Sequence, residues 1–288
     1  MEINKCYLCK SKNKLRRPGS VRDNKKLKIF QCFDCGLVYL SSNKHIKSDH
    51  YENSGMHDGK KLNIKIWLKE NLFDDVRRYK FLKKIISNKK IIDFGCGAGG
   101  FLQLARKNTK EANGIELEKV LQESFIKRNL KVFKNYKHAL KSKKKWDIIT
   151  AFHVIEHLSD PIRTLLELSK LINKNGKIII EVPNSEDALL TLYKNKAFQN
   201  FTYWSQHLYL FNINNLKDIA KKTNLKVEWT KYVQRYSLSN HLYWLTNGRP
   251  GGHKIWNFLE NKLLNQNYEK QLASQGITDT IMICLKKK

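Results

Sequence analysis

From residue 89 onward, apolar residues gather in short runs that alternate with stretches of helical period. "KIIDFG" reads as a buried strand and "GGFLQLARK" as the helix that follows it. "EANGIELE" is a second strand, followed by a helix over 117–128. "LKVFKN" is a third short strand. "WDIITAFHV" is the fourth, and a helix over 160–172 is entered through Asp160 and Pro161. "GKIIIEVPN" is the fifth. "NINNLKDIAKKTN" is a further helix capped by Asn212 or Asn214, and "LKVEWTKYVQRY" and "TDTIMICLKK" supply two late strands. Such alternation predicts an α/β domain, a parallel sheet with helices on both faces. Upstream, Ile64, Trp67, Leu68, Leu72, Val76, Tyr79, Leu82 and Ile86 recur at helical spacing and predict one or two amphipathic helices. Residues 41–61 are polar and weakly patterned, a linker or mobile flap. The predicted layout is an N-terminal unit over 1–42, a linker with helices over 43–88, and the α/β domain over 89–288. Two insertions fall around 184–207 and 235–270.

The N-terminal unit is too small to be held by a core of its own. It carries Cys6-x-x-Cys9 and Cys32-x-x-Cys35, the spacing that brings four thiolates to one tetrahedral ion. Cys6, Cys9, Cys32 and Cys35 therefore predict a structural zinc ribbon, with "LKIFQC" and "LVYL" as strands around the second knuckle. Metal binding would supply most of its folding energy. No run approaches the roughly 20 apolar residues that span a bilayer, and "MEINKCYLCK" lacks the apolar stretch of a signal peptide. A cytoplasmic location with reduced thiols is the expectation. Cys96 and Cys284 read as ordinary buried thiols.

The formal charge of +29 admits a polyanionic partner such as RNA. Yet only 10 of the 55 basic residues are Arg, and the lysines are spread through nearly every segment. Lysine and asparagine share A/T-rich codons, so a solvated surface shaped by genome composition is the competing reading. "KSKKKW" and the terminal "LKKK" read as a solvated loop and a tail.

The chemistry centres on "IDFGCGAGGF", residues 92–101. Gly95-x-Gly97-x-x-Gly100 matches the dinucleotide fingerprint, while Asp93-x-Gly95-x-Gly97-x-Gly99 overlies it. A carboxylate at the strand end would repel a pyrophosphate seated at the next helix N-terminus. It would favour a cationic ligand, and S-adenosylmethionine carries a sulfonium and an ammonium but no phosphate. Glu116 ends the second strand, where its two oxygens can accept both ribose hydroxyls. NAD sites share that feature, so it does not discriminate.

"IIDFGCGAGGF", "GIELE" and "WDIITAFHVIEHLSDP" in this order resemble the successive motifs of class I S-adenosylmethionine-dependent methyltransferases, over roughly residues 75–288. The resemblance implies a Rossmann-like seven-stranded sheet ordered 3-2-1-4-5-7-6, with "TDTIMICLKK" as the antiparallel strand 7. It implies that Asp93, Gly95, Cys96, Gly97 and Gly99 line the methionine part, that Glu116 and Leu117 hold the ribose side, and that Phe152 and His153 face the cofactor. The third strand often ends in an acidic residue near adenine; here "FKNYKHAL" offers Asn135 and Tyr136 instead.

On the acceptor side, His153 is placed as a proton acceptor or as part of the pocket wall. His207 in "YWSQHLYLF" is a second catalytic candidate. His153, Glu156 and His157 with His207 resemble the divalent-metal element of some small-RNA 2′-O-methyltransferases and some quinone-pathway O-methyltransferases, with His153 in place of the first carboxylate. The Glu-His pair also occurs in relatives without a metal. The aromatic stretch "NSEDALLTLYKNKAFQNFTYWSQHLYLF" predicts a lid or acceptor wall. Arg235, Tyr236, Asn240, His241 and Tyr243 are candidate acceptor contacts with Trp244 as a stacking surface, or else a packed C-terminal cap.

Three functions compete. A zinc knuckle ahead of such a core resembles bacterial sugar-methylating enzymes, which implies a small-molecule or glycan acceptor, including polysaccharide or lipid-linked intermediates. An RNA methyltransferase is the alternative, since some rRNA guanine methyltransferases join a zinc ribbon to this core; no Asn-Pro-Pro-Tyr element follows the fourth strand, which disfavours nucleobase amines. A non-catalytic nucleic-acid adaptor is third, and the intact loop argues against it. The acceptor atom and the oligomeric state are not encoded in any motif.

Overall fold

A computed structural model describes residues 2–46, 50–53 and 62–288. Part of the predicted linker, 47–49 and 54–61, lies outside the described residues. The N-terminal unit contributes β1 (Lys14–Arg16), β2 (Ile29–Cys32) and β3 (Val38–Leu40). A single helix, α1 (Ile64–Ile86), follows, its first turn capped by the Asn63 side chain, which accepts from the Ile66 N–H.

The main domain then runs β4 (Lys90–Phe94), α2 (Gly100–Ala105), β5 (Glu111–Ile115), α3 (Gln122–Lys127), β6 (Lys131–Phe133), α4 (Tyr136–Lys141), β7 (Trp146–Phe152), α5 (Pro161–Ser169) and β8 (Ile172–Pro183). It continues with α6 (Ala188–Thr191), α7 (Lys196–Thr202), β9 (Tyr209–Leu210), α8 (Ile213–Lys222), β10 (Leu225–Val233), α9 (Leu238–Asn247), α10 (Gly252–Ile255), α11 (Lys262–Ser274) and β11 (Thr280–Lys287).

Seven of these strands form one sheet in the order β10-β11-β8-β7-β4-β5-β6. Counted along the main domain this is 3-2-1-4-5-7-6, and β11 is antiparallel to both β8 and β10 while the other pairings are parallel. The central strands are sealed on both faces, which is why Ile91 and Ile92, Ile148 and Ile149, and Ile178, Ile179 and Ile180 read as unbroken apolar runs. Asp160 accepts from the Arg163 N–H and Pro161 opens α5, so that helix begins where its proline allows. The predicted 117–128 helix is instead a 3₁₀ turn over Lys119–Leu121 followed by α3. The chain order reverses between β4 and β7, and a crevice opens at the carboxyl ends of strands at such a switch point.

The second sheet, β1-β2-β3-β9, draws its last strand from the main domain. Val38 and Tyr39 pair with Leu210 and Tyr209, and the Asn215 side-chain amide donates to the Cys35 carbonyl. Tyr7 donates to Asp160 and accepts from the Ile162 N–H. The N-terminal unit is thus stitched onto the α/β domain by a continuous sheet rather than tethered to it, and its apolar residues share one core with β7, β8 and α8.

Candidate functional site

A cleft of about 460 Å³ opens at the carboxyl ends of β4, β5 and β7, within the range of small-molecule sites. Its floor is the glycine loop. The Gly95 and Cys96 N–H groups both donate to the Ile115 carbonyl, at 2.8 and 3.1 Å, which pins the loop to β5. Gly95 has φ +70°, and a Cβ there would sit 2.5 Å from Val154. Gly97 has φ +51°, and a Cβ there would press on Trp67 at 3.2 Å. Glu116 is aimed into the same cleft by its backbone: Oε2 accepts from the Gly97 N–H at 2.8 Å and Oε1 from the Glu118 N–H at 3.0 Å. Each oxygen keeps a second lone pair for a ligand hydroxyl.

Asp93 ends β4 buried, and its Oδ1 accepts from the Thr150 hydroxyl at 2.6 Å. Burial pushes its carboxyl up to about 7 against that hydrogen bond. A buried carboxylate of this kind is relieved by an incoming cation. Cys96, Leu117 and Phe152 line the cleft beside it, whereas Gly99 lies under the loop, where a Cβ would meet Leu130 at 3.0 Å.

Beneath the cleft runs an ionic network that no local motif announced. Glu181, fully buried on β8, accepts from both Arg77 and Arg78 on α1 at 2.7–3.0 Å. Arg235 joins Asp279 at 3.2 Å and Asp74 at 3.4 Å. His153 sits at the edge of this network with φ +53°, a conformation costly for a non-glycine residue. Its Nδ1 lies 3.1 Å from Glu156 Oε1 and its Nε2 3.3 Å from Glu181 Oε1. Burial and Arg235 push its pKa down, but the two carboxylates outweigh them and raise it. His153 lines the cleft, and although both carboxylates lie within ion-pair range, its buried Nε2 makes no hydrogen bond.

Further orphaned atoms lie one turn on. Donor atoms of Glu156, His157 and His207 all lie within 4.8 Å of one another. His157 Nδ1 hydrogen-bonds the Gln206 carbonyl at 2.8 Å, so that nitrogen carries the proton and Nε2 keeps its lone pair. Glu156 Oε2 and His207 Nδ1 are buried with no hydrogen-bond partner. Burial raises the Glu156 carboxyl, but His153 and the other histidines outweigh it and leave it at about 2. Burial and His157 push His207 down to about 3. A carboxylate with two neutral imidazoles is a donor set for a divalent cation such as Zn²⁺.

The wall above this cluster comes from elsewhere in the chain. Trp204 and His207 belong to the connection after β8, and their rings pack at 5.4 Å. Tyr51 donates to the His157 carbonyl at 3.2 Å, and Arg22 reaches in from the N-terminal unit. Trp204 comes from the aromatic stretch predicted as a lid or acceptor wall, whereas no motif places Arg22, Tyr51 or Trp67 at the cleft.

Of the candidate acceptor contacts, Arg235 lines the cleft and the others do not. Tyr236 is exposed at the surface beside Arg235. The Asn240 side-chain oxygen accepts from the Gly251 N–H, and buried His241 bridges Gln234 and the Tyr268 hydroxyl at 2.9 and 2.8 Å. Tyr243 and Trp244 are buried against Trp256 and Phe198. Asn240, His241, Tyr243 and Trp244 therefore build the packed C-terminal cap, because their polar atoms are spent holding α9 to its neighbours. At the end of β6, Asn135 caps α4 by accepting from the His138 N–H, and Tyr136 packs against the core.

Cys6, Cys9, Cys32 and Cys35 converge, with sulfurs 3.6 Å apart for Cys6–Cys35 and 3.4 Å for Cys9–Cys32. A tetrahedral ion with Zn–S bonds of about 2.3 Å implies S···S near 3.8 Å, so the four thiols fit zinc with a small expansion.

The sheet order and the cleft at the β4–β7 switch point are those that the resemblance to class I methyltransferases implies. A model of the methyltransferase domain family matches residues 65–229, more than half of the chain, and the chain belongs to that family. The chain is 32% identical over 126 residues to a ubiquinone biosynthesis O-methyltransferase of Pelagibacter ubique, covering 41% of this chain and 51% of that protein. It therefore spans about half the length of that relative. It is 27% identical over 210 residues to a tRNA U34 carboxymethyltransferase of Nautilia profundicola, covering 62% and 70%. Among solved structures, an S-adenosylmethionine-dependent methyltransferase of Archaeoglobus fulgidus superposes with a TM-score of 0.52 at 21% identity, covering 77% of this chain and 99% of that one. The cysteine cluster lies outside the family match.

Proposed function

We propose that the protein transfers the methyl group of S-adenosylmethionine to a hydroxyl of a small-molecule or glycan acceptor. Asp93, the Gly95–Gly97 loop, Glu116 and Phe152 would hold the cofactor, which supplies an electrophilic methyl on a sulfonium. The chain's own contribution is position and removal of a proton. The observation that carries the reading is the buried, unsatisfied end of the cleft, where His153 Nε2 and His207 Nδ1 have no partner and Glu156 Oε2 is unpartnered beside them. Buried polar atoms in that state are costly unless a ligand completes them. An acceptor hydroxyl, or a divalent cation that binds it, would do so. His153, through its unbonded Nε2, and His207 would face the acceptor, and Glu156 would orient His153 through Nδ1.

The test is titration of the zinc-loaded protein with S-adenosylhomocysteine, followed by Mn²⁺, in the wild type and in His207→Ala. Saturable cofactor binding in both, with Mn²⁺ binding in the wild type only, supports the reading with a cation. Cofactor binding without Mn²⁺ leaves the direct hydroxyl reading. Absence of cofactor binding in the wild type overturns the proposal and favours a non-catalytic adaptor.

An RNA acceptor is the second reading. The formal charge of +29 favours it, together with the printed activity of the tRNA-modifying relative. It predicts an acceptor affinity that falls steeply between 50 and 200 mM salt, by about 10³-fold or more for six or more phosphate contacts. An uncharged small acceptor would be nearly indifferent to salt.

A further inference from the structure

Three arginines line the cleft: Arg78, Arg235 and Arg22. Two are neutralised by the protein itself. Arg78 binds Glu181 at 2.7 Å and Asp75 at 3.7 Å, and Arg235 binds Asp279 and Asp74. Arg22 has no carboxylate within ion-pair distance among the described residues. Its guanidinium lies over the Trp204 ring at 4.8 Å and near Phe201 at 5.6 Å. The two rings cover part of the guanidinium, and the residue is otherwise exposed, so its N–H donors are available to a planar or tetrahedral anion.

The placement is built. The Arg22 N–H donates to the Tyr203 carbonyl at 2.9 Å. The neighbouring Asp23 accepts from the Ser205 N–H at 2.9 Å and from its hydroxyl at 2.6 Å. Asp23 is thus spent on Ser205, and Val21 on the other side is fully buried. A short stretch of the N-terminal unit is clamped to the segment that carries Trp204 and His207. Trp204 is the shared element: Arg22 lies on it, and the His207 ring packs beside it at 5.4 Å. Arg22 and His207 are therefore within about 10 Å of one another, the two ring distances laid end to end.

We propose that Arg22 is an anion-binding residue of the acceptor site, and that the acceptor carries a carboxylate or phosphate within about 10 Å of the hydroxyl to be methylated. The proposal rests on the methyltransferase reading above and narrows its acceptor to hydroxy acids or sugar phosphates. It also gives the N-terminal unit a direct part in the site, since the cysteine cluster holds the fold that presents Arg22.

The experiment measures binding of four probes to zinc-loaded protein saturated with S-adenosylhomocysteine. Two are anions, 4-hydroxybenzoate and glucose 1-phosphate; two are their uncharged counterparts, phenol and glucose. Each is titrated against the wild type, Arg22→Gln and Arg22→Lys. At least one anion is expected to bind the wild type and to lose about tenfold or more in Arg22→Gln, with partial recovery in Arg22→Lys. The uncharged probes should not distinguish the three proteins, and whichever anion responds identifies carboxylate or phosphate. Anions that bind no better than their uncharged counterparts, or that bind Arg22→Gln as well as wild type, overturn the proposal. Cofactor affinity is read in the same titrations. Its absence in the wild type would strike the methyltransferase reading, while the anion arms, run on cofactor-free protein, would still decide the role of Arg22.

Discussion

The two ends of the cleft are built on opposite principles. The cofactor end comes from short contiguous segments: Asp93 to Gly100 at the first strand–helix turn, and Glu116 at the end of the next strand. The proposed acceptor end gathers Arg22, Tyr51, His153 with His157, Trp204 with His207, and Arg235 from across the chain. A site that reads the same ligand in many proteins can be a local device, since backbone turns and one strand end suffice. A site that reads a particular acceptor needs several distant surfaces brought together, and here the N-terminal unit closes it.

This contrast can be broken most severely at the cysteine cluster. Cys32→Ser, or a strong chelator, should lower the melting temperature by about 10 °C or more, because the metal–thiolate bonds expected at the cluster would hold a unit with little core of its own. Differential scanning calorimetry reads this. Because β9 continues the same sheet, acceptor binding should fall with it, while S-adenosylhomocysteine binding at β4 and β5 should survive. Joint loss of both would mean that the two ends are not separable.

Next in size, Glu116→Ala should weaken S-adenosylhomocysteine by about 2–3 kcal/mol, or about 30–160-fold, because two hydrogen bonds to a charged group are lost. Calorimetric titration checks this, and the affinity of any acceptor probe should be unchanged. A smaller effect is expected from pH. Asp93 in the free protein titrates at about 7, so it is protonated below that value and ionised above it. A cofactor ammonium is held better by the ionised form, so affinity should rise from pH 6 to pH 8, by at most about tenfold. Asp93→Asn should flatten that profile.

The smallest effect tests the boundary of the acceptor end. Asn240→Ala should leave acceptor and cofactor affinity within about twofold, and cost roughly 1–2 kcal/mol of stability through the lost hydrogen bond to Gly251. Urea denaturation reads the second. A large change in acceptor affinity would extend the site into the C-terminal cap.

The strands were legible because each is a short apolar run bounded by turn residues, whereas their order followed only from the resemblance of the motif series to class I methyltransferases. Asp160 before Pro161 and Asn212 before Ile213 marked two helix starts for the same local reason. The glycine loop was legible because positive φ demands glycine at Gly95 and Gly97. Asn240 and His241 illustrate the opposite case. Their residue types suit a polar ligand, and only packing shows that their atoms are spent on Gly251, Gln234 and Tyr268.

By itself, then, the sequence determined what depends on neighbours in the chain: strand and helix period, caps, the glycine turn and two cysteine knuckles. Only the tertiary structure decided which side chains share a cavity. It set His153 between two carboxylates, left His153, Glu156 and His207 each with an orphaned atom, and set Arg22 on Trp204. The physical reason is range. Backbone preferences act over a few residues, whereas ion pairing, burial and ring stacking act between groups that folding brings together from anywhere along the chain.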